Sequence, residues 1–142
     1  MPSSMNLDRR DMGMNLAPAE AVAAADGRAR SQATLEAFLE ITARWGLSTD
    51  EQIVLLGSPA RSTFFKWKKE GGLLPRDTLE RISHVLNIFK NLEILLPDVG
   101  IADAWVRQPN RSWGGRTALA RMIEGSLSEL YEVRRYLDAK RG

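Results

Sequence analysis

The chain has 142 residues, and 20 Lys and Arg stand against 18 Asp and Glu, a formal net charge of only +2. That length suits one domain or two small helical modules sharing a core. The near balance of charge excludes both a uniformly basic chromatin-type protein and an acidic disordered chain, so any affinity for nucleic acid has to come from local clustering of cations.

Cysteine is absent and His84 is the single histidine. Disulfides, thiolate catalysis, Cys- or His-rich metal sites and Ser-His catalysis within the chain are therefore not expected. No run approaches the roughly 20 apolar residues that a membrane span needs. Residues 1–30 hold no apolar core of a signal peptide, and with no cysteine a cytoplasmic, membrane-free protein is expected. Four acids and four bases balance over those thirty residues. Met, Ala and Ser dominate them, so residues 1–32 read as a flexible or loosely helical arm with little apolar surface to offset its ordering. Leu16–Ala25 can form a short helix after Pro18.

From Thr34 the pattern turns helical. Leu35, Phe38, Leu39, Thr42 and Trp45 share one face, and Gly46 closes the segment. Ser48-Thr49-Asp50-Glu51 is a capping box that predicts a helix over Thr49–Leu56, with Gly57 as its left-handed stop. Ser58 as N-cap and Pro59 in the first turn predict that the next helix begins at once and ends at Gly71-Gly72. Pro75 and Asp77 open a longer helix with an apolar stripe of Leu79, Ile82, Leu86, Phe89, Leu92, Leu95 and Leu96, stopped by Pro97. A short helical segment over Ile101–Val106 follows. Beyond an irregular stretch, Thr117–Glu124 reads as a helix ended by Gly125. Ser126-Leu127-Ser128-Glu129 is a second capping box, opening a last helix that offers Leu127, Leu130, Tyr131, Val133 and Leu137 for burial. The expected fold class is all-α, with about seven helices.

Two helices parted by Leu56-Gly57-Ser58 form a helix-turn-helix signal. Residues 34–58 sum to −3 and residues 59–69 to +4. On the second helix Ala60, Phe64 and Trp67 can turn inward. That leaves Arg61, Ser62, Phe65, Lys66 and Lys69 on the outer face with Thr63 and Lys68 at its flanks, a set suited to a DNA major groove. The alternative is a solvated basic helix held by Phe64 and Trp67.

Phe64-Phe65-Lys66-Trp67, with Trp45-Gly46-Leu47-Ser48 before it and Arg76–Ser83 after it, resembles the helix-turn-helix region of the Xre/MbcA/ParS antitoxins. Ala104-Trp105-Val106-Arg107-Gln108-Pro109-Asn110, Trp113-Gly114-Gly115-Arg116-Thr117-Ala118-Leu119 and Val133-Arg134-Arg135-Tyr136-Leu137-Asp138 are similar to that family's toxin-binding region. The sequence departs from the family at 111–113, where Trp113 stands before Gly-Gly. The resemblance covers roughly Leu35 to Gly142. It implies an Xre-like helix-turn-helix bundle over 33–97 and a small helical toxin-binding subdomain over 98–142.

It further implies a type II antitoxin whose partner is a RES-domain toxin that degrades NAD or uses it for ADP-ribosylation. The C-terminal domain would cover the toxin's active-site cleft. The helix-turn-helix region would form a homodimer and bind operator DNA, repressing the operon, within a larger toxin–antitoxin complex. The candidate toxin contacts are Trp105, Pro109, Asn110, Trp113, Gly114, Gly115, Arg116, Arg134 and Tyr136, together with Lys140 and Arg141 of a short basic tail that can meet acidic groups of the toxin. Trp105 and Trp113 serve equally well as core anchors, and Lys140 and Arg141 as solvated charge at a helix end. Gly114-Gly115 permits backbone conformations closed to other residues, and Arg116 then starts a helix.

No phosphate loop, metal-binding His pair or nucleophile elbow is present. His84, off the apolar stripe, reads as a solvated surface side chain. Neither enzymatic activity nor a cofactor or metal is expected. The competing reading is a helix-turn-helix repressor without a toxin partner, whose C-terminal region only dimerises.

Overall fold

The computed structural model describes residues 18–142, which form seven α-helices: α1 Pro18–Arg44, α2 Thr49–Leu55, α3 Arg61–Glu70, α4 Arg76–Leu95, α5 Val99–Ala104, α6 Ala118–Met122 and α7 Leu127–Arg141. Short 3-10 turns at Trp105–Arg107 and Arg111–Trp113 lie between α5 and α6. The all-α expectation holds among these residues.

The first helix is longer than its apolar stripe. It begins at Pro18, so the expected arm over 1–32 is helical from that residue onward, and residues before it lie outside the described ones. The periodicity missed this half because an alanine-rich stretch is helical by propensity and carries no apolar face to reveal it. Its final part is anchored: buried Ser31 accepts a hydrogen bond from the Leu74 N–H at 3.2 Å. Leu35, Phe38, Ile41 and Trp45 are buried farther along.

The corner into α2 is built as the capping box required. Glu51 N–H donates to Ser48 Oγ at 3.1 Å, and Ser48 N–H donates to Glu51 Oε1 at 2.9 Å. Inside the corner, buried Gln52 donates to Thr42 Oγ1 at 2.9 Å, and Thr42 donates to the Phe38 carbonyl at 2.8 Å. Both buried polar side chains are thereby satisfied.

Ser58 does something other than cap the next helix. Its φ is +58° and that of Gly57 is +97°. Gly57 N–H bonds the Val54 carbonyl, and Ser58 N–H reaches back to the Ile53 carbonyl at 2.9 Å. These paired bonds are the Schellman closure of α2, so Ser58 terminates one helix and cannot initiate another. The following helix starts at Arg61, with Ala60 as its N-cap and no side-chain cap.

Helix α4 lies against both α1 and α7. Its deepest apolar residues are Ile82, Val85, Ile88 and Leu92. Val85 and Ile88 were absent from the expected stripe, while Leu79, Leu86, Phe89, Leu95 and Leu96 pack at its edges. Two neighbouring helices widen the buried face beyond the stripe that one neighbour would need. On α7, Leu130, Val133 and Leu137 are buried. Tyr131, expected inside, is 48% exposed, because α7 packs along α4 through a narrower face.

Two arginines tie the C-terminal region to the N-terminal one. Arg107 donates from Nε to the Trp45 carbonyl at 2.9 Å and from Nη2 to the Gly46 carbonyl at 2.7 Å, satisfying acceptors left open by the end of α1. Arg81 bonds Asp77 at 2.9 Å and donates to the Gly125 carbonyl at 3.0 Å, just before α7.

Candidate functional sites

The helix-turn-helix unit presents α3 outward. Phe64 is fully buried and Trp67 half-buried against the core, which fixes the roll of the helix. Ala60, expected inside, is exposed, because it precedes the first helical residue and does not share the 3.6-residue period. Arg61, Ser62, Phe65, Lys66, Lys68 and Lys69 are exposed, and Thr63 lies at their margin. Six of the seven candidate DNA contacts are thus exposed on α3, and Thr63 is half-buried.

Phe65, 44% exposed, is framed by cations. Arg61 lies over its ring at 5.6 Å and Lys68 at 5.4 Å. Arg61 also bonds Asp50 at the start of α2. Asp50 is a contributor that sequence reasoning missed, since no spacing rule links residues on two helices of different direction.

The second site surrounds the loop between Pro109 and Thr117, which a short antiparallel bridge closes. Asn110 organises it: the side chain accepts from Ser112 N–H at 2.8 Å, and the backbone exchanges bonds with Arg116 and Gly115 at 2.9 Å each. Gly114 and Gly115 take φ of +64° and +86°, the left-handed conformations expected of them. Helix α6 starts at Ala118 with Thr117 as its N-cap, Thr117 Oγ1 accepting from Ala120 N–H at 2.9 Å. Arg116 therefore precedes the helix instead of starting it, held by the return strand of the loop, and it pairs with Glu124 at 2.8 Å.

The loop and α7 bring three aromatic rings together. Trp113 and Tyr136 lie 4.9 Å apart between centroids, and Trp105 stands 6.2 Å from each. All three are half-buried at the edge of the core. Anchor and surface are thus not alternatives here. Trp113 donates its indole N–H to Glu132 at 2.9 Å, and Arg121 grips the same carboxylate at 2.7 Å. Those two bonds, Arg121 first, hold the Glu132 carboxyl below its ordinary value. Glu132 was missed because its partners come from two other elements.

Beside Tyr136, the polar groups of Asn110 and Ser112 and the Lys140 ammonium hold the phenol below its usual value. Lys140 lies 5.3 Å from the Tyr136 ring centroid. Leu92, Leu95, Leu96, Trp105, Tyr136 and Lys140 line an open hollow next to the rings.

The remaining candidate contacts are placed differently. Arg134 lies 3.2 Å from His84 Nδ1 and 3.7 Å from Asp138. Arg141 donates to Asn91 Oδ1 at 3.0 Å. The basic tail is helical, since α7 continues through Arg141. His84 is not solvated. It is 6% exposed, covered by α7, with Tyr131 edge-on at 5.7 Å. Burial first and Arg134 second lower its pKa, against a smaller opposing effect of Glu80. Among the described residues no cluster of three metal-ligating side chains occurs, and no helix is long and apolar enough to cross a membrane.

Two family matches cover successive stretches of the chain. Residues 24–87 match the antitoxin Xre-like helix-turn-helix domain, and residues 91–142 match the antitoxin Xre/MbcA/ParS C-terminal toxin-binding domain. The protein y4oB of Sinorhizobium fredii is 57% identical over 114 residues, which span 80% of this chain and 88% of y4oB. With an Xre-like helix-turn-helix domain followed by a toxin-binding domain, the chain belongs to the Xre/MbcA/ParS antitoxin family.

Proposed function

We propose that the chain is a type II antitoxin that neutralises a RES-domain toxin acting on NAD and represses its own operon. One observation carries the reading. The toxin-binding match covers the region whose rings Trp105, Trp113 and Tyr136 stand at the surface beside Lys140. Aromatic anchors that are half-buried before binding lose little side-chain freedom when a partner covers them, which is why such residues dominate interface energetics. The RES identity of the partner rests on the family resemblance of the W-V-x-x-P-N, G-G-R and V-R-x-Y-L-D elements. In this reading 98–142 forms the toxin-facing subdomain.

The α3 face supplies the second activity. In this reading exposed Lys66, Lys68 and Lys69 would displace counterions from phosphates, and Arg61, released from Asp50, would meet base edges together with Phe65. A homodimer would present two such helices to a two-fold operator. The chain itself supplies no catalysis in this scheme.

The deciding experiment joins this chain with the product of the adjacent reading frame. NAD loss caused by that product should stop when the chain is added in equimolar amount. Trp113→Ala should restore NAD loss by weakening the complex about thirtyfold or more, the magnitude of an aromatic hot spot. Continued NAD loss in the presence of the wild-type chain would overturn the reading.

A further inference from the structure

Helices α4 and α7 are cross-braced by polar rungs. His84 meets Arg134, and Asn91 meets Arg141, each pair fifty residues apart in sequence. The constant offset means that the two helices run side by side in the same direction and in register. Residues 134, 138 and 141 form one stripe of α7 by their spacing of four and seven, and it faces α4. Residues 136 and 140 form a neighbouring stripe facing the aromatic cluster.

Asn91 is the central rung. It is 1% exposed, and both ends of its amide are used. Its Nδ2 donates to Asp138 Oδ1 at 2.9 Å, and its Oδ1 accepts from Arg141 at 3.0 Å. Asp138 is also approached by Arg134. A buried amide bonded at both ends fixes helix rotation more tightly than an apolar contact, since a shift leaves its donor or acceptor unpaired. The two terminal cations are consequently in different situations: Arg141 is drawn back onto α4, while Lys140 lies over the Tyr136 ring.

Resting on the antitoxin reading above, we propose that Asn91 is a positioning residue that, by binding Asp138 and Arg141 at once, locks the last turn of α7 so that Lys140, and not Arg141, meets the toxin. Arg141 then acts on affinity only through Asn91. Asn91 is buried, so the rung adds a determinant of toxin binding that acts through the last turn of α7.

A double-mutant cycle tests this with the full chain and the adjacent-frame toxin. Affinity is measured for the wild type, Asn91→Leu, Arg141→Ala, their combination and Lys140→Ala, and amide exchange is followed at residues 139–142. Lys140→Ala should weaken binding about tenfold. Asn91→Leu should weaken it severalfold and speed exchange of the last turn. Arg141→Ala should weaken binding in the wild-type background and add nothing to Asn91→Leu. Asp138→Ala, at an exposed position, breaks the same rung should Asn91→Leu fold poorly, and it should reproduce both effects. An equal loss from Arg141→Ala in both backgrounds would make Arg141 a direct contact and overturn the proposal, as would unchanged affinity after Asp138→Ala. Failure of the wild-type chain to bind would instead overturn the antitoxin reading, and this inference with it.

Discussion

The lysines of α3 and four arginines of the C-terminal face are held in opposite ways. On α3, Lys66, Lys68 and Lys69 stand exposed on a helix held by one buried ring, Phe64. In the C-terminal region Arg116, Arg121, Arg134 and Arg141 are tied to carboxylates, to His84 or to Asn91. Exposed ammonium groups suit a polyanion, whose attraction tolerates loose geometry and is screened by salt. Bound guanidinium groups suit a protein partner, because they fix the shape of a surface whose energy resides in a few aromatic anchors. The modest net charge hides this division of labour.

The largest expected effect strikes the recognition side. Phe64→Ala empties the site that sets the roll of α3 and should cost about 3–5 kcal/mol of stability, read as a lowered urea midpoint. A loss below about 1 kcal/mol would mean that α3 is held by Trp67 and the flanking turns instead.

A smaller effect sharpens the contrast in cation use. Replacing Lys66 and Lys69 together by Ala should weaken operator-fragment binding across sequences and reduce the salt slope by about one per lysine. An unchanged slope would remove both lysines from the phosphate-contacting set.

The smallest effect is a pH dependence on the C-terminal side. The folded His84 has a lowered pKa, so the unfolded chain takes up its proton first as pH falls below about 6.5. Stability should therefore be fully present above that value and decline on mild acidification. The depressed carboxyls of Glu124, Glu129 and Glu132 add a second decline only below their ordinary value of 4.5. His84→Gln should abolish the first decline and leave the second, as followed by urea midpoints between pH 7 and 4. A flat wild-type profile above pH 5 would contradict the assignment of a neutral, buried imidazole.

Much of the fold could be read locally. The Ser48–Glu51 box, the Gly57 stop and the Gly114-Gly115 turn are settled by residues within four positions of one another, and each forms as expected. Some errors arose where a distant element decides. His84 looked exposed on its own helix, and α7 covers it. Tyr131 looked inward, and α4 leaves it out. Arg134 and Arg141 looked available, and α4 engages them. Other errors were local: the alanine-rich start of α1 is helical without an apolar face, Ala60 precedes its helix, and Ser58, which offers both a cap and a left-handed turn, takes the turn onto the Ile53 carbonyl.

The bracing of α4 by α7 also bears on how halves of such proteins can be exchanged. The two family matches end and begin at 87 and 91, inside helix α4, where one relative's front could be spliced to another's back. Such a splice would keep Asn91 with its own Asp138 and Arg141. It would separate His84 from Arg134, pairing residues from different parents across a buried contact. Exchange of the two halves is thus constrained by side chains on both sides of the splice, and hybrids should assemble best when His84 travels with Arg134, Arg81 with the Gly125 turn, and Arg107 with the end of α1.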